Sequence, residues 1–208
     1  MRVYAATDIH GSAHAVQTIR DNIERLSPDV FVAAGDLTNF GPVSFAQDFL
    51  SNLPVRTLAV PGNCDPRGIV RVLDDLGMNL HGRKATVKGR TFVGIGGSNP
   101  TPFGTPFELS EEEIWAALGR AMEPGAVLVS HPPPRGFVDR VHSGEHVGSH
   151  SVRRAIEEFR PPLVLCGHIH EARGIARLGR TTIVNPGPAQ KGHSALVDIN
   201  GEVHAQLL

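Results

Sequence analysis

Along the first third of the chain, apolar and polar positions recur in one order: an apolar run, a polar corner containing glycine, then a segment of helical period. The runs are VYAAT (3–7), VFVAA (30–34) and VRTLAV (55–60), and the helical segments fall near 13–26, 43–52 and 67–76. This alternation predicts βαβ units, and so parallel strands joined by right-handed crossovers. The residues just past each strand then meet at the carboxyl edge of one sheet.

Beyond residue 80 the spacing tightens into two strands, KATV and TFVGIGG, before a helix near 110–121. Ser110 opens that helix with Glu113 at capping-box spacing. The strand AVLVS (126–130) leads into a loop over 131–148 rich in Pro, Gly and His, and loops of this length in compact domains usually carry function. A helix near 149–159 precedes PLVLCGHIH. The tail, 172–207, reads as short antiparallel strands with NPGP (185–188) as a tight turn. The expected fold is α/β, with two sheets between helices.

The chain has 208 residues, enough for one good core, and no stretch reads as a linker, so a single domain over 1–208 is expected. A hydrophobic fraction of 40% and a charged fraction of 20% are ordinary for a globular protein. No apolar run approaches the roughly 20 residues that cross a bilayer, and the first residues read as a strand rather than a signal peptide. A cytoplasmic protein without membrane contact is the expectation. Net charge is −1 and the basic residues are scattered, which disfavours nucleic acid as a partner; a homo-oligomer is left open. Cys64 and Cys166 lie about a hundred residues apart, so both are expected to be free thiols, and two are too few for a cysteine-built zinc site.

The chemistry lies in the residues at the end of each apolar run: Asp8 and His10, Asp36, Asn63, His131, and His168 with His170. Taken singly, an Asp after a strand is a helix cap or a turn former, and a His there is an ordinary surface or core residue. Together, five strand ends bring carboxylate, amide and imidazole donors to the edge where open sheets bind ligands. That mixture suits Mn, Fe, Zn, Co or Ni, whereas Mg and Ca prefer oxygen alone. In DIH and HIH the outer residues are two apart and share a face of an extended segment, leaving Ile9 and Ile169 to the core.

In their order along the chain, DIHG, GDLTNFG, GNCDP, SHPPP and GHIHE closely resemble the motifs of the calcineurin-like metallophosphoesterases. The resemblance covers residues 8 to 171 and implies a four-layer α/β/β/α sandwich of two mixed β-sheets flanked by helices, with a dinuclear metal centre. It implies two divalent ions, with manganese the expected metal. One would lie on Asp8, His10, Asp36 and His170, the other on Asp36, Asn63, His131 and His168, so that Asp36 bridges. The activity implied is metal-dependent hydrolysis of a small phosphate ester by a metal-bridging hydroxide. Asp36, Asn63 and His131 would be catalytic, and Asn63 would also orient the substrate.

In most members of that family the position of Cys64 is a histidine that assists the leaving group. A thiol is a poor replacement as a proton donor, so Cys64 reads as a spectator and Asp65 as a turn cap or a support for a ligand. The loop after His131 offers Arg135, Arg140, His142 and His146. Of these, His146, just ahead of a helix start, is the expected substrate contact. Small phosphodiesters are the expected substrates; the alternatives are a broad phosphomonoesterase or protein phosphatase, and a non-catalytic scaffold of the same fold.

Overall fold

The computed structural model describes all residues, Met1–Leu208. The chain passes through β1 (Arg2–Ala6), α1 (Ala13–Leu26), β2 (Val30–Ala34), α2 (Val43–Ser51), β3 (Thr57–Val60) and α3 (Ile69–Asp75). It continues through β4 (Arg83–Val87), β5 (Arg90–Ile95), α4 (Glu111–Ala121), β6 (Val127–Ser130) and α5 (His150–Phe159). The last part holds β7 (Leu163–Leu165), β8 (Gly174–Leu178), β9 (Thr181–Asn185), β10 (Ala195–Asn200) and β11 (Glu202–Leu207). Two mixed sheets result, with strand orders β11-β10-β1-β2-β3 and β4-β5-β6-β7-β9-β8.

The layers follow from strand alternation. Val3, Val32, Val60, Val127, Leu165 and Val184 point into one core between the sheets. Their chain neighbours point outward. Tyr4, Phe31 and Ala59 meet Ile19, Phe49 and Leu73 of α1, α2 and α3. Leu128, Val164 and Ile183 meet Leu118 of α4 and Ile156 of α5. Each sheet is thus covered on both faces, giving four layers, α/β/β/α. Fully burying a Val, Leu or Phe side chain contributes about 1.5–3 kcal/mol, so these three clusters are the main favourable contribution to the fold.

The helices begin where the sequence signals them. Ser12 Oγ accepts the Ala15 N–H at the start of α1, and Ser149 Oγ accepts the Val152 N–H at the start of α5. Ser110 and Glu113 form a reciprocal capping box on α4.

The tail departs from a simple antiparallel set. β8 and β9 form an antiparallel hairpin, but β9 lies parallel to β7, inside the second sheet. After NPGP the chain crosses to the first sheet, where β10 runs antiparallel to β1 and β11 antiparallel to β10. The burial pattern explains the division. All five residues of β9 are buried, as an interior strand requires, whereas β8 and β11 alternate with exposed positions and form the sheet edges. No helix is long and apolar enough to cross a membrane.

Candidate metal centre

The carboxyl ends of β1, β2, β3, β6 and β7 open onto one place, and the seven residues singled out from the sequence gather there. The corner after β1 is fastened to the corner after β2 by backbone hydrogen bonds: Asp8 N–H to Gly35 O at 3.0 Å, Ile9 and His10 N–H to Asp36 O at 2.9 Å each, and Gly11 N–H to Leu37 O at 3.0 Å. This fastening holds Asp8, His10 and Asp36 in left-handed backbone, with φ of 55°, 49° and 49°, and His168 joins them at 69°. Left-handed backbone costs a residue with a Cβ on the order of 1 kcal/mol, though Asp, Asn and His tolerate it best. In return, each side chain is turned from the strand direction towards the others.

Asp8 Oδ1 lies 3.2 Å from His170 Nε2, and Asp8 Oδ2 accepts the His168 N–H at 3.2 Å. His10 Nε2 is 3.6 Å from Asp36 Oδ2 and 3.3 Å from His170 Nε2. His131 Nε2 is 3.6 Å from Asp36 Oδ2 and 3.0 Å from Asn63 Oδ1. The His168 ring sits with its centroid 5.2 Å from that of His131. Asp8, Asp36, Asn63 and His131 are buried, while the His170 side chain keeps 32% of its surface exposed, so the site opens on that side.

Two contacts test whether this set suits metal ions. His131 Nδ1 is 2.8 Å from the Ala34 carbonyl, an acceptor only, so Nδ1 carries a proton, and Nε2, 3.0 Å from the Asn63 carbonyl oxygen, either takes a second proton or offers its lone pair to a cation. His10 and His170 likewise oppose one Nε2 to another. Nitrogen and oxygen atoms brought this close, 3.0–3.3 Å, need a proton or a cation between them. With two buried carboxylates alongside, the residues fit divalent ions; ligand atoms of Asp8, His10 and His170, and of Asp8, Asp36 and His131, lie within 4.8 Å of one another.

Without ions the titratable groups are strongly perturbed. Burial alone would raise Asp8 and Asp36, but the His170 hydrogen bond to Asp8 and the His131 charge beside Asp36 hold both below the usual carboxylate range. Burial opposes charge on His131, yet Asp36 raises it to about 9. His168, buried and next to His131, falls to about 4. A pocket that stabilises one imidazolium and rejects another has room for positive charge but an awkward distribution of protons, which divalent ions would displace.

Asp65 supports the centre. Its Oδ1 accepts the Thr38 N–H at 2.7 Å and the Thr38 hydroxyl at 2.8 Å, and its Oδ2 accepts Gly62 N–H at 2.8 Å and Leu37 N–H at 3.1 Å. It therefore ties the Asp36 corner to the Asn63 corner, capping the turn and bracing two candidate ligands at once. Burial, then the Asp36 carboxylate, raises it to about 6, so it is ionised at neutral pH. The Cys64 N–H donates to Asp36 Oδ1 at 2.8 Å, and its sulfur shares a ligand-sized cluster with His10 and Asp36. Burial and then Asp36 push the thiol above its ordinary range, against any thiolate role.

His146 lies elsewhere in the contact network. Its Nδ1 is 2.6 Å from Oδ1 of buried Asp139, its Nε2 faces Arg140 at 3.3 Å, and it makes no hydrogen bond or ion pair with any of the seven. His142 pairs with Glu171 at 2.8 Å. The NPGP turn is structural: Asn185 Nδ2 donates to the Ile169 carbonyl at 2.9 Å, fixing the backbone between His168 and His170. Sequence reasoning missed the loop before α4. Thr105 Oγ1 accepts from Asn63 Nδ2 at 3.2 Å and donates to Glu108 at 2.7 Å, which orients the Asn63 amide with its oxygen towards His131. Only the polar, turn-rich stretch NPTPFGTPFE hinted at a shaped loop there.

The profile of the calcineurin-like phosphoesterases matches residues 1–172. The chain belongs to this family. It is 38% identical to an uncharacterized protein of Methanocaldococcus jannaschii over 218 residues, 97% of this chain and 98% of that one. Among solved structures, a Thermus thermophilus protein shares the fold at a TM-score of 0.75 and 19% identity, covering 99% of this chain and 97% of the other. A protein described as a novel archaeal phosphodiesterase shares it at 0.60 and 14% identity, covering both chains completely. The expected fold and family are thereby established, and the Asp/His clusters are groups that could bind the metal on which this family depends.

Proposed function

We propose that this protein hydrolyses phosphate esters, small phosphodiesters foremost, with two divalent ions held by the seven strand-end residues. Asp8, His10, Asp36 and His170 would hold one, Asp36, Asn63, His131 and His168 the other, with manganese the expected occupant. The observation that carries the reading is the pair of close contacts that need a proton or a cation between their atoms, His131 Nε2 with Asn63 Oδ1 and His10 Nε2 with His170 Nε2, beside two buried carboxylates. When bound, such ions supply Lewis-acid charge and make water acidic enough to attack phosphorus near neutral pH.

The chain's own residues do the rest. Asp8 and Asp36 offset only half the charge of two divalent ions, leaving a formal surplus of about +2 to attract an anionic ester. Asn63 holds one amide hydrogen on Thr105, while the other meets only the Cys64 sulfur at 3.6 Å, a weak acceptor. That second hydrogen is available to a phosphoryl oxygen, where charge grows in the transition state. His131, locked by Ala34, keeps Nε2 aimed inward. In this reading His146, its ring oriented by Asp139, contacts the substrate from the loop. Cys64 provides no efficient proton for a basic leaving group, which favours diesters with acidic leaving groups.

The test is metal exchange. Protein stripped by a chelator and verified metal-free should lose hydrolysis of bis(p-nitrophenyl) phosphate and regain it with manganese. Full activity in the verified metal-free preparation would sink the proposal.

A further inference from the structure

At the opposite ends of the strands, where the edges β8 and β11 of the two sheets face each other, a cleft of about 740 Å³ is lined by Arg90, Arg160, Arg177 and Arg180. They come from three places: Arg90 from the start of β5, Arg160 from the turn before β7, and Arg177 and Arg180 from β8 and the β8–β9 turn. Arg177 is in register with Thr182, which also lines the cleft, and so points to the face that looks between the sheets. One carboxylate is present, Glu202. It lies near His204 at 3.9 Å and pairs with none of the four.

Several other arginines in this protein have partners: Arg2 pairs with Asp198, Arg83 with Asp74, Arg153 with Glu157, and Arg154 stacks on Trp115. The four cleft guanidiniums have no ion pair and no side-chain hydrogen bond. In a chain of net charge −1, they place a formal surplus of +3, four arginines less Glu202, around one concavity. Like charges gathered in a cleft repel one another, and low-dielectric walls focus their field on whatever enters. Guanidinium forks match phosphate oxygens in a bidentate fashion, which a flexible ammonium does not. The cleft's volume falls in the range of small-molecule sites, roughly 300–1,000 Å³.

We infer that this arginine cleft is a second binding site, for a small ligand carrying two or more linked phosphates, separate from the metal centre. β6 and β7 connect the two sites: Gly125 at the cleft and His131 at the centre lie at opposite ends of β6, about 20 Å apart by strand rise. Nucleic acid is the less favoured occupant, because the charge is confined to a concavity rather than spread along a groove.

Calorimetric titration with inorganic tripolyphosphate tests the assignment on three proteins: the wild type, Arg177→Gln/Arg180→Gln, and Asp36→Asn. The hairpin arginines are exposed, so the double variant should fold, and its hydrolysis of the aryl diester should be unchanged. Tripolyphosphate should bind the wild type and Asp36→Asn alike, and bind the double variant at least about tenfold more weakly, with the difference shrinking as salt rises. Equal binding by wild type and double variant overturns the proposal. So does binding lost only in Asp36→Asn, which would place the anion at the metal centre. Loss of hydrolysis in the double variant would make the arginines part of the catalytic machinery and also overturn it. A single-stranded RNA oligonucleotide that binds the cleft where tripolyphosphate does not would replace the proposed ligand class.

Discussion

Substituting Gly62 tests whether the close approach of two strand corners builds the metal centre. A Cβ at Gly62 would stand 2.0 Å from Asp36 Oδ1 and 2.1 Å from Asp36 N, and the second atom is backbone, which no rotamer change can move aside. Restoring ordinary contact at about 3.5 Å requires the two corners to separate by roughly 1.5 Å. That movement pulls on the Gly62 N–H bond to Asp65 and the Cys64 N–H bond to Asp36, both 2.8 Å. It also carries Asn63 away from His131. Overpacking of this kind costs about 1–3 kcal/mol, and near 200 residues each kcal/mol lowers Tm by about 2–4 °C. Gly62→Ala should therefore melt about 2–12 °C lower. A misplacement near 1 Å at a reacting centre costs on the order of a hundredfold, so diester turnover should fall by at least that much. Gly68 is the matched control: nothing lies within 4 Å of its Cβ position, and its φ is −61°. Gly68→Ala should keep full activity and gain a few tenths of a kcal/mol. Differential scanning calorimetry and aryl diester kinetics measure both. A Gly62→Ala protein with wild-type Tm, manganese affinity and turnover would refute the argument that corner spacing sets the centre.

Asp36→Asn should fold yet lose about a hundredfold or more in turnover, because it weakens the one carboxylate assigned to both ions; near-normal turnover at matched metal content would show the bridge to be misassigned. Thr105→Val removes the acceptor that orients the Asn63 amide and should lower kcat/KM about tenfold with little change in Tm, whereas an unchanged kcat/KM would leave the loop no positioning role. Cys64→Ala should retain activity within about threefold, since its N–H, not its sulfur, holds Asp36. Cys64→His should raise the turnover of alkyl relative to aryl diesters by about tenfold, as a proton donor matters only for a basic leaving group. Collapse of activity in Cys64→Ala, with metal and fold intact, would give the thiol a role after all.

The strand and helix pattern of the first third was legible because period and punctuation agreed there. VFVAA became β2 at the expected residues, and the segment 13–26 became α1 with Ser12 as its cap. The tail was less legible for a physical reason. Apart from its final Asn, TTIVN is apolar or threonine and reads as any buried strand, so nothing local says that its neighbour is β7, some twenty residues back, and parallel. Only the layers decide this. A strand buried on both faces must lie inside a sheet, and β7 supplied the unpaired interior edge.

At the site, residue type and position after a strand carried most of the information, because metal donors are chemically distinctive and strand ends converge. The side chains that aim those donors left almost no trace. Thr105 is an ordinary loop threonine until the fold brings it to Asn63, 42 residues away. The four left-handed residues, Asp8, His10, Asp36 and His168, were invisible for the opposite reason, since the sequence shows no glycine where a turn would normally want one. Glycine would adopt that backbone without strain but brings no ligand. At those corners the chain therefore keeps the donor and places the glycines beside it. Gly35 and Gly62 come so near His131 and Asp36 that a Cβ would meet them at 2.2 and 2.0 Å. The backbone bonds between the 8–11 and 35–37 corners then hold the strained turns, so the donors converge before any ion is present.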